Sequence, residues 1–515
     1  MREFFTAQNQ VLIIVAKNSL EARVPYRIFK LVPQEGLAHS GAQNPAERVH
    51  RSSERMRHVI SRYLLFTALI SALGGLLFGY DWVVIGGAKP FYEAYFNLVQ
   101  PTQEAWAMSC ALVGCLVGAV SSGYLSERLG RKRALLISAA VFVVSSLGTG
   151  SASTFALFVA WRISGGVAIG LASGLSPIYI AEIAPAEIRG KLVCLNELTI
   201  VIGILMAQVV NWLIAQPVAV HMNMTDIQSS WNGQVAWRRM FEATSIPAAV
   251  FLLGLFFIPE SPRWLVRRGA LDQARGVLER IGGAVYADAV LLEIEKSLLS
   301  HVTPHKAVSP RKIQTARLLM IGVTLAVLQQ WCGINVIFNY AQEIFSGAGY
   351  ALSSILFNIV ITGVVMCVFT FVAIATVERL GRRPLMLCGC AGLALIYVIL
   401  GFLYYRHVQG LPMLLLVVAA IACYAMTLAP ITWVILSEIF PNEIRGTAMA
   451  ISTTALWAAC FLLTYTFPLL NAALGIAGTL WIYAAICAGG LVFVYTQLPE
   501  TKQRTLEEIQ HSWEQ

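Results

Sequence analysis

The chain has 515 residues, of which 57% are hydrophobic and only 13% are Asp, Glu, Lys or Arg, with a net charge of +9. That charged share is about half of the roughly 25% usual in soluble domains, too little to wet a soluble surface of this size, so a string of soluble domains is excluded. Mean hydropathy is +0.67, and the apolar residues come in runs about as long as an α-helix needs to cross ~30 Å of hydrocarbon.

Residues 1–55 do not share this pattern. Val11–Val15 is too short to span, and no small-residue cleavage site follows an apolar core, so no signal peptide is expected. The polar stretch 33–55 reads as disordered. Met56 stands just ahead of Arg57, Arg62 and an apolar helix, and is expected to be the true start. Residues 1–59 are therefore read as an N-terminal extension, disordered or mis-called.

Apolar runs between breakers predict spans near 61–85, 105–125, 133–151, 154–181, 192–215 and 240–258. After a polar gap come 317–345, 352–377, 384–404, 411–438, 446–470 and 475–497. The organisation is an N-terminal six-helix bundle (60–258), a linker (259–316), a C-terminal bundle (317–498) and a tail (499–515). Within the linker Leu271–Leu299 has helical periodicity and predicts short helices. Arg128, Arg131, Lys132 and Arg133 follow the second span, Arg189 and Lys191 the fourth, and nine Lys or Arg residues fill the linker. The opposite connections are nearly bare: Lys89 after the first span and Arg406 after the ninth, with Arg238 and Arg239 before the sixth as the exception. Basic residues gather in cytoplasmic loops, so both termini and the linker are expected in the cytoplasm. The same rule accounts for the pI of 9.1. No basic run is interleaved with stacking aromatics, which excludes nucleic-acid binding. The ten cysteines are scattered through apolar spans without zinc-ligand spacing and read as small hydrophobes.

The halves repeat. Glu127-Arg128-Leu-Gly130-Arg131-Lys132 after the second span matches Glu378-Arg379-Leu-Gly381-Arg382-Arg383 after the eighth. Glu182-Ile-Ala-Pro185-Ala-Glu187-Ile-Arg189-Gly190 matches Glu438-Ile-Phe-Pro441-Asn-Glu443-Ile-Arg445-Gly446. Pro259-Glu260-Ser261 matches Pro499-Glu500-Thr501. Three ordered matches are a duplication. Two six-helix bundles with a site between them near the midplane are the plan of a secondary transporter. The fold class is an all-α membrane protein of twelve transmembrane helices.

Charges inside hydrocarbon are costly and mark function. Asp81 follows a Gly-rich stretch in the first span. Arg162 begins a stripe with Gly166, Gly170 and Gly174 in the fourth, a small-residue packing face that turns Arg162 toward another helix. The two form either a switch, in which protonated Asp81 releases Arg162, or a permanent pair that pins two spans. Glu197 shares a helix face with Ile204, Gln208 and Asn211, a polar stripe fit for a cavity wall. Its carboxylate can accept from two hydroxyls, favour an amine-bearing substrate, take part in proton coupling, or be solvated near the cytoplasmic end. Gln329, Gln330 and Asn335 are polar in an otherwise apolar seventh span. A regular helix would separate them, and Gly333 permits a break that lets them converge. Amides of this kind can hydrogen-bond a polar ligand whose apolar face rests on an aromatic platform. Trp457 can supply the platform and Tyr424 or Thr427 a polar contact, and core packing is the competing use of an aromatic.

These motifs, with Gly74-Gly75-Leu-Leu-Phe78-Gly79-Tyr80-Asp81, Pro262-Arg263 after the 259–261 motif, and Gln329-Gln330-Trp-Cys-Gly333-Ile-Asn335, resemble the sugar porters of the major facilitator superfamily over roughly residues 60–512. The chain is most similar to bacterial sugar or polyol:proton symporters such as those for xylose. The resemblance implies import of a monosaccharide or polyol across the inner (cytoplasmic) membrane, with protons as coupling ion, no cofactor and no metal, in a protein that functions as a monomer. It implies Asp81 and Arg162 as the proton-coupling pair and Gln329, Gln330 and Asn335 as sugar ligands. It also implies departures: Glu197 where Gln is usual, Asn339 where many relatives have Tyr, Leu428 where Trp is frequent, and Met366 and Leu456 where xylose symporters are polar. The substrate-binding set is Gln329, Gln330, Asn335, Glu197, Asn339, Trp457 and Thr427. Glu127, Arg128, Arg131, Glu182 and Arg189, with Glu378, Arg379, Arg382, Glu438 and Arg445, are expected to form a cytoplasmic gate of individually weak pairs.

Catalysis has no support: Gly74-Gly75 follows no strand and no P-loop lysine motif occurs, which excludes an ATP-driven pump. A proton-independent uniporter is the alternative, and a non-transporting sugar sensor a more distant one.

Overall fold

In a computed structural model of the chain, residues 61–185, 188–217, 224–300, 312–350, 352–440 and 445–500 are described. The N-terminal extension with Met56, and residues 501–515 of the tail, lie outside them, as do Glu187, Pro441, Glu443 and Thr501 of the repeated motifs. Every regular element among the described residues is helical.

The first half comprises α1 (Arg62–Phe96), α2 (Pro101–Leu129), α3 (Arg131–Gly150), α4 (Phe155–Ile183), α5 (Arg189–Ile214), α6 (Trp237–Ala243) and α7 (Ser245–Phe257). The linker holds α8 (Pro262–Arg267), α9 (Leu271–Gly282) and α10 (Ala284–Ser300), the short helices that its periodicity predicts. The second half has α11 (Lys312–Trp331), α12 (Ile334–Asn339), α13 (Ala341–Gly347), α14 (Leu352–Leu380), α15 (Arg382–Tyr405), α16 (Leu411–Met426), α17 (Leu428–Ile439) and α18 (Arg445–Gln497).

Three spans differ from the sequence expectation. The first does not end near 85: α1 runs on to Phe96 through Gly86, Gly87 and Pro90. The glycines that look like breakers are contact points, because a Cβ on Gly86 would lie 2.7 Å from the Phe338 carbonyl oxygen and one on Gly87 2.3 Å from Asn211 Nδ2. Lys89 is accordingly no loop residue but a buried helical one. The tenth span is not continuous. It breaks at Thr427 (φ −126°, ψ −91°), just ahead of Pro430, whose ring cannot fit a regular helical ladder. The last two spans have no separate loop; α18 is 53 residues long and reverses only at Gly475 (φ 69°, ψ 174°). A membrane crossing takes ~20 residues, so α18 accounts for two of them.

Small residues set the packing within the first half. A Cβ on Gly166 would sit 1.9 Å from the Ala111 oxygen and one on Gly170 2.2 Å from that of Cys115, so α4 presses on α2 with backbone against backbone. Gly79 and Gly203 do the same for α1 against α5. Where the halves meet, α2 packs on α18, α5 on α14, and α1 on α12 and α13.

The duplication has a structural meaning at the turns. Gly130 (φ 95°) and Gly381 (φ 90°) begin α3 and α15 in a conformation that L-side chains avoid. Glu260 accepts from the Arg131 and Lys132 amides at 2.8 and 3.1 Å, and Glu500 from those of Arg382 and Arg383 at 3.0 and 3.1 Å. Each carboxylate caps a helix N-terminus, meeting bare N–H groups and the positive end of the dipole. Arg238, the basic exception, hydrogen-bonds the Gly150 and Ala152 carbonyls at 2.8 and 2.7 Å where α3 ends.

Candidate substrate and proton sites

The Gly-rich approach of α1 brings Asp81 inside the first half, and the stripe of α4 turns Arg162 toward it. Arg162 Nη1 lies 2.8 Å from both carboxylate oxygens of Asp81, with both residues buried. The guanidinium also stacks over Phe241, 5.3 Å from its ring centre. Arg162 Nε has no partner. One side of the guanidinium is thus fully committed to the carboxylate, and a proton on Asp81 would weaken that attraction.

The seventh span breaks where Gly333 was expected to break it. Gly333 takes φ 86°, ending α11 and starting α12. The break brings the amides together: Asn335 Nδ2 donates to Gln330 Oε1 at 2.5 Å, and Gln330 Nε2 reaches Gln329 Oε1 at 3.4 Å. Gln329 Nε2 is spent elsewhere, donating at 2.9 Å to the Ala429 carbonyl in the first turn of α17, just past the interruption at Thr427. The two breaks hold each other, and Gln329 is their tie. The Thr427 hydroxyl is likewise occupied, donating to the Cys423 carbonyl at 2.5 Å. Gln330 and Asn335 are the amides left to face a ligand.

Trp457 is buried against helix α1, with ring centres 5.4 Å from Phe78 and 6.3 Å from Trp82. It is therefore an aromatic wall shared by both halves. Glu197 is half-buried on α5. Leu428, Met366 and Leu456 are buried and apolar. Asn339 is buried with an unpartnered Oδ1.

One residue stands out that the substrate set omits. Gln208 is 1% exposed, and neither its Oε1 nor its Nε2 has a partner. Its oxygen fills the space beside Gly363 of α14, where a Cβ would come within 1.8 Å. A buried amide with both ends unmet costs about 1–3 kcal/mol. The sequence places Gln208 on the cavity stripe with Glu197, but whether its amide is satisfied is invisible there.

The charged motif residues pair within each half. Arg131 meets Glu182 at 2.9 Å, and Arg382 meets Glu438 at 3.1 Å. Ser261 donates to the other Glu182 oxygen. Glu127 instead pairs with Arg267 of the linker at 2.9 Å, while Arg128 bonds the Tyr124 hydroxyl at 2.9 Å. Arg189 opens α5 and Arg379 lies in the last turn of α14. The side chains of Glu378 and Arg445 lie outside the described ones.

Two helix sets that enclose a buried charge pair, an amide cluster at two helix breaks and a shared aromatic wall define a multi-pass membrane transporter. The chain belongs to the sugar transporter family: the family model described as "Sugar (and other) transporter" matches residues 67–513. It is 38% identical to the D-xylose-proton symporter of Escherichia coli K12, over 88% of this chain and 96% of that one. It is 35% identical to the arabinose-proton symporter of Bacillus subtilis, over 88% and 95%. Among solved structures it superposes on the inward open conformation of the E. coli xylose transporter with a TM-score of 0.76 and 36% identity, covering 88% of this chain and all of that one. The same transporter bound to 6-bromo-6-deoxy-D-glucose gives a TM-score of 0.73.

Proposed function

We propose that the protein imports a monosaccharide or polyol together with a proton, by alternating access. The observation that carries the reading is the buried Asp81–Arg162 pair beside a cluster of amides built at helix breaks. Outside, Asp81 takes up a proton and lets go of Arg162; inside, deprotonation restores the pair. The basic loops give the orientation, with the duplicated motifs, the linker and both termini in the cytoplasm of a cell whose inner membrane holds the protein. The monomer suffices, because every proposed ligand comes from one chain.

Gln330 and Asn335 bind sugar hydroxyls, Trp457 supplies the apolar platform, and Asn339 offers a free acceptor. Gln329 and Thr427 shape the site by fixing the two breaks. Glu197 replaces a neutral amide by an acceptor of two hydroxyls. With Leu428, Met366 and Leu456 the pocket has fewer polar contacts than that of a xylose symporter, which favours a different hexose, inositol or a modified sugar. The Arg131–Glu182 and Arg382–Glu438 pairs brace the cytoplasmic ends that separate and rejoin in each cycle.

Uptake by proteoliposomes across a panel of sugars and polyols, under an imposed pH gradient, tests this. Accumulation of one panel member, abolished by a protonophore, is the expected result. Protonophore-insensitive equilibration alone would make the protein a uniporter.

A further inference from the structure

On the extracellular side, opposite the motifs, the two halves are in contact in this structure. Gly86 of α1 abuts the α12 backbone, and the Trp212 ring of α5 meets that of Phe357 of α14 at a tilt, with centres 5.8 Å apart. In the middle of this seam lies Lys89, 2% exposed. Three carboxylates surround its ammonium: Glu93 at 3.0 Å on α1, Glu104 at 3.7 Å on α2, and Glu343 on α13, in direct contact. The Tyr340 ring completes the shell, its centre 5.6 Å away.

The membership of these groups decides what the cluster can do. Glu93 and Glu104 belong to the same half as Lys89; Glu343 comes from the other. When the halves part, Lys89 keeps two partners and is never left as a lone buried charge, whose cost would forbid the step. Glu343, at the rim, moves into water. Of the three ion pairs, only Lys89–Glu343 is made on closing and broken on opening; the Tyr340 ring parts from Lys89 in the same step. Lys89 sits near the end of an apolar helix that would otherwise have no reason to carry a charge.

We propose that Lys89 and Glu343 are the latch of the extracellular gate, a positioning pair that favours the outward-closed state without touching sugar or the coupling proton. The latch rests on alternating access but not on the identity of the substrate.

The test is a distance measurement that needs no substrate. Spin labels go on Gln100→Cys and Gln409→Cys, both exposed, in a background from which the exposed Cys194 and Cys388 are removed. Gln100 is suited because its side chain caps nothing at the start of α2. In proteoliposomes Glu343→Gln should raise the ratio of long to short distances roughly tenfold, the scale of one charge-assisted hydrogen bond. It leaves Lys89 paired, so folding is spared. Glu93→Gln removes a charge from the same cluster without severing a cross-half contact and should leave the ratio unchanged. The exchange Lys89→Glu with Glu343→Lys faces a lysine with three carboxylates again and should restore the short distance. An unchanged ratio in Glu343→Gln, or an equal shift in Glu93→Gln, would overturn the latch. Loss of sugar uptake with wild-type distances would count against the transport reading instead.

Discussion

Replacing Gly333 by Ala asks whether the helix break builds the sugar site. Gly333 holds φ 86°, and a Cβ there would stand 2.8 Å from Tyr483 Cγ and 2.9 Å from its Cδ2. A left-handed conformation costs a non-glycine residue roughly 1–2 kcal/mol. The Tyr483 ring is only 2% exposed and cannot swing clear, so crowding adds about 1–3 kcal/mol. Alanine restrains the unfolded chain and returns about 0.4–1 kcal/mol. The net is roughly 1–5 kcal/mol, which the protein escapes by straightening the segment. Straightening swings Asn335 away from Gln330 and dissolves the amide pair. Sugar affinity, read from binding by isothermal calorimetry or from the half-saturation of counterflow, should fall at least about tenfold, together with a lower melting temperature. A Gly333→Ala variant that binds sugar as well as the wild type would refute the claim that the break positions the amides.

Gln208→Leu should raise the melting temperature in detergent, because an unmet amide worth about 1–3 kcal/mol disappears, yet weaken sugar binding several-fold; unchanged affinity would mean that Gln208 lies off the sugar path. Trp457→Ala should weaken binding by about 3- to 10-fold, the scale of one aromatic contact, while Trp457→Phe recovers most of it, as titration calorimetry would show. Glu260→Gln should destabilise the first half by about 1 kcal/mol through the loss of a charged helix cap, seen as a lower melting temperature with sugar affinity retained.

Much of the architecture was legible in the sequence because membrane physics leaves few choices. Backbone groups must be satisfied within each span, so apolar length locates most of the helices. The Arg162–Gly174 stripe announces a close helix pair, and Gly333 announces a break. What stayed hidden depends on tertiary partners. Gly86, Gly87 and Pro90 look like the end of a span until the α12 backbone closes on Gly86 and the Asn211 side chain of α5 on Gly87. Lys89 reads as a loop lysine until Glu93, Glu104 and Glu343 converge on it from three helices. The Gln329 amide meets the first turn of α17 just past the Thr427 break, a partner 100 residues away in sequence. Gln208 shows the same limit from the other side: its place on the stripe is periodic, whereas its isolation is not. The Asp81–Arg162 contact was anticipated because two charges in hydrocarbon have little else to do than pair.

Proton coupling through Asp81 is the central claim, and Asp81→Asn in proteoliposomes tests it most directly. A proton gradient of 100 mV is worth about 2.3 kcal/mol per charge, enough for accumulation of roughly 40-fold at about 1.4 kcal/mol per tenfold. The wild type should accumulate its sugar toward that ratio, and faster as external pH falls. Asp81→Asn should bring the sugar only to equal concentrations on both sides, with counterflow exchange intact and no dependence on the gradient. Accumulation by Asp81→Asn above the external concentration would contradict the account.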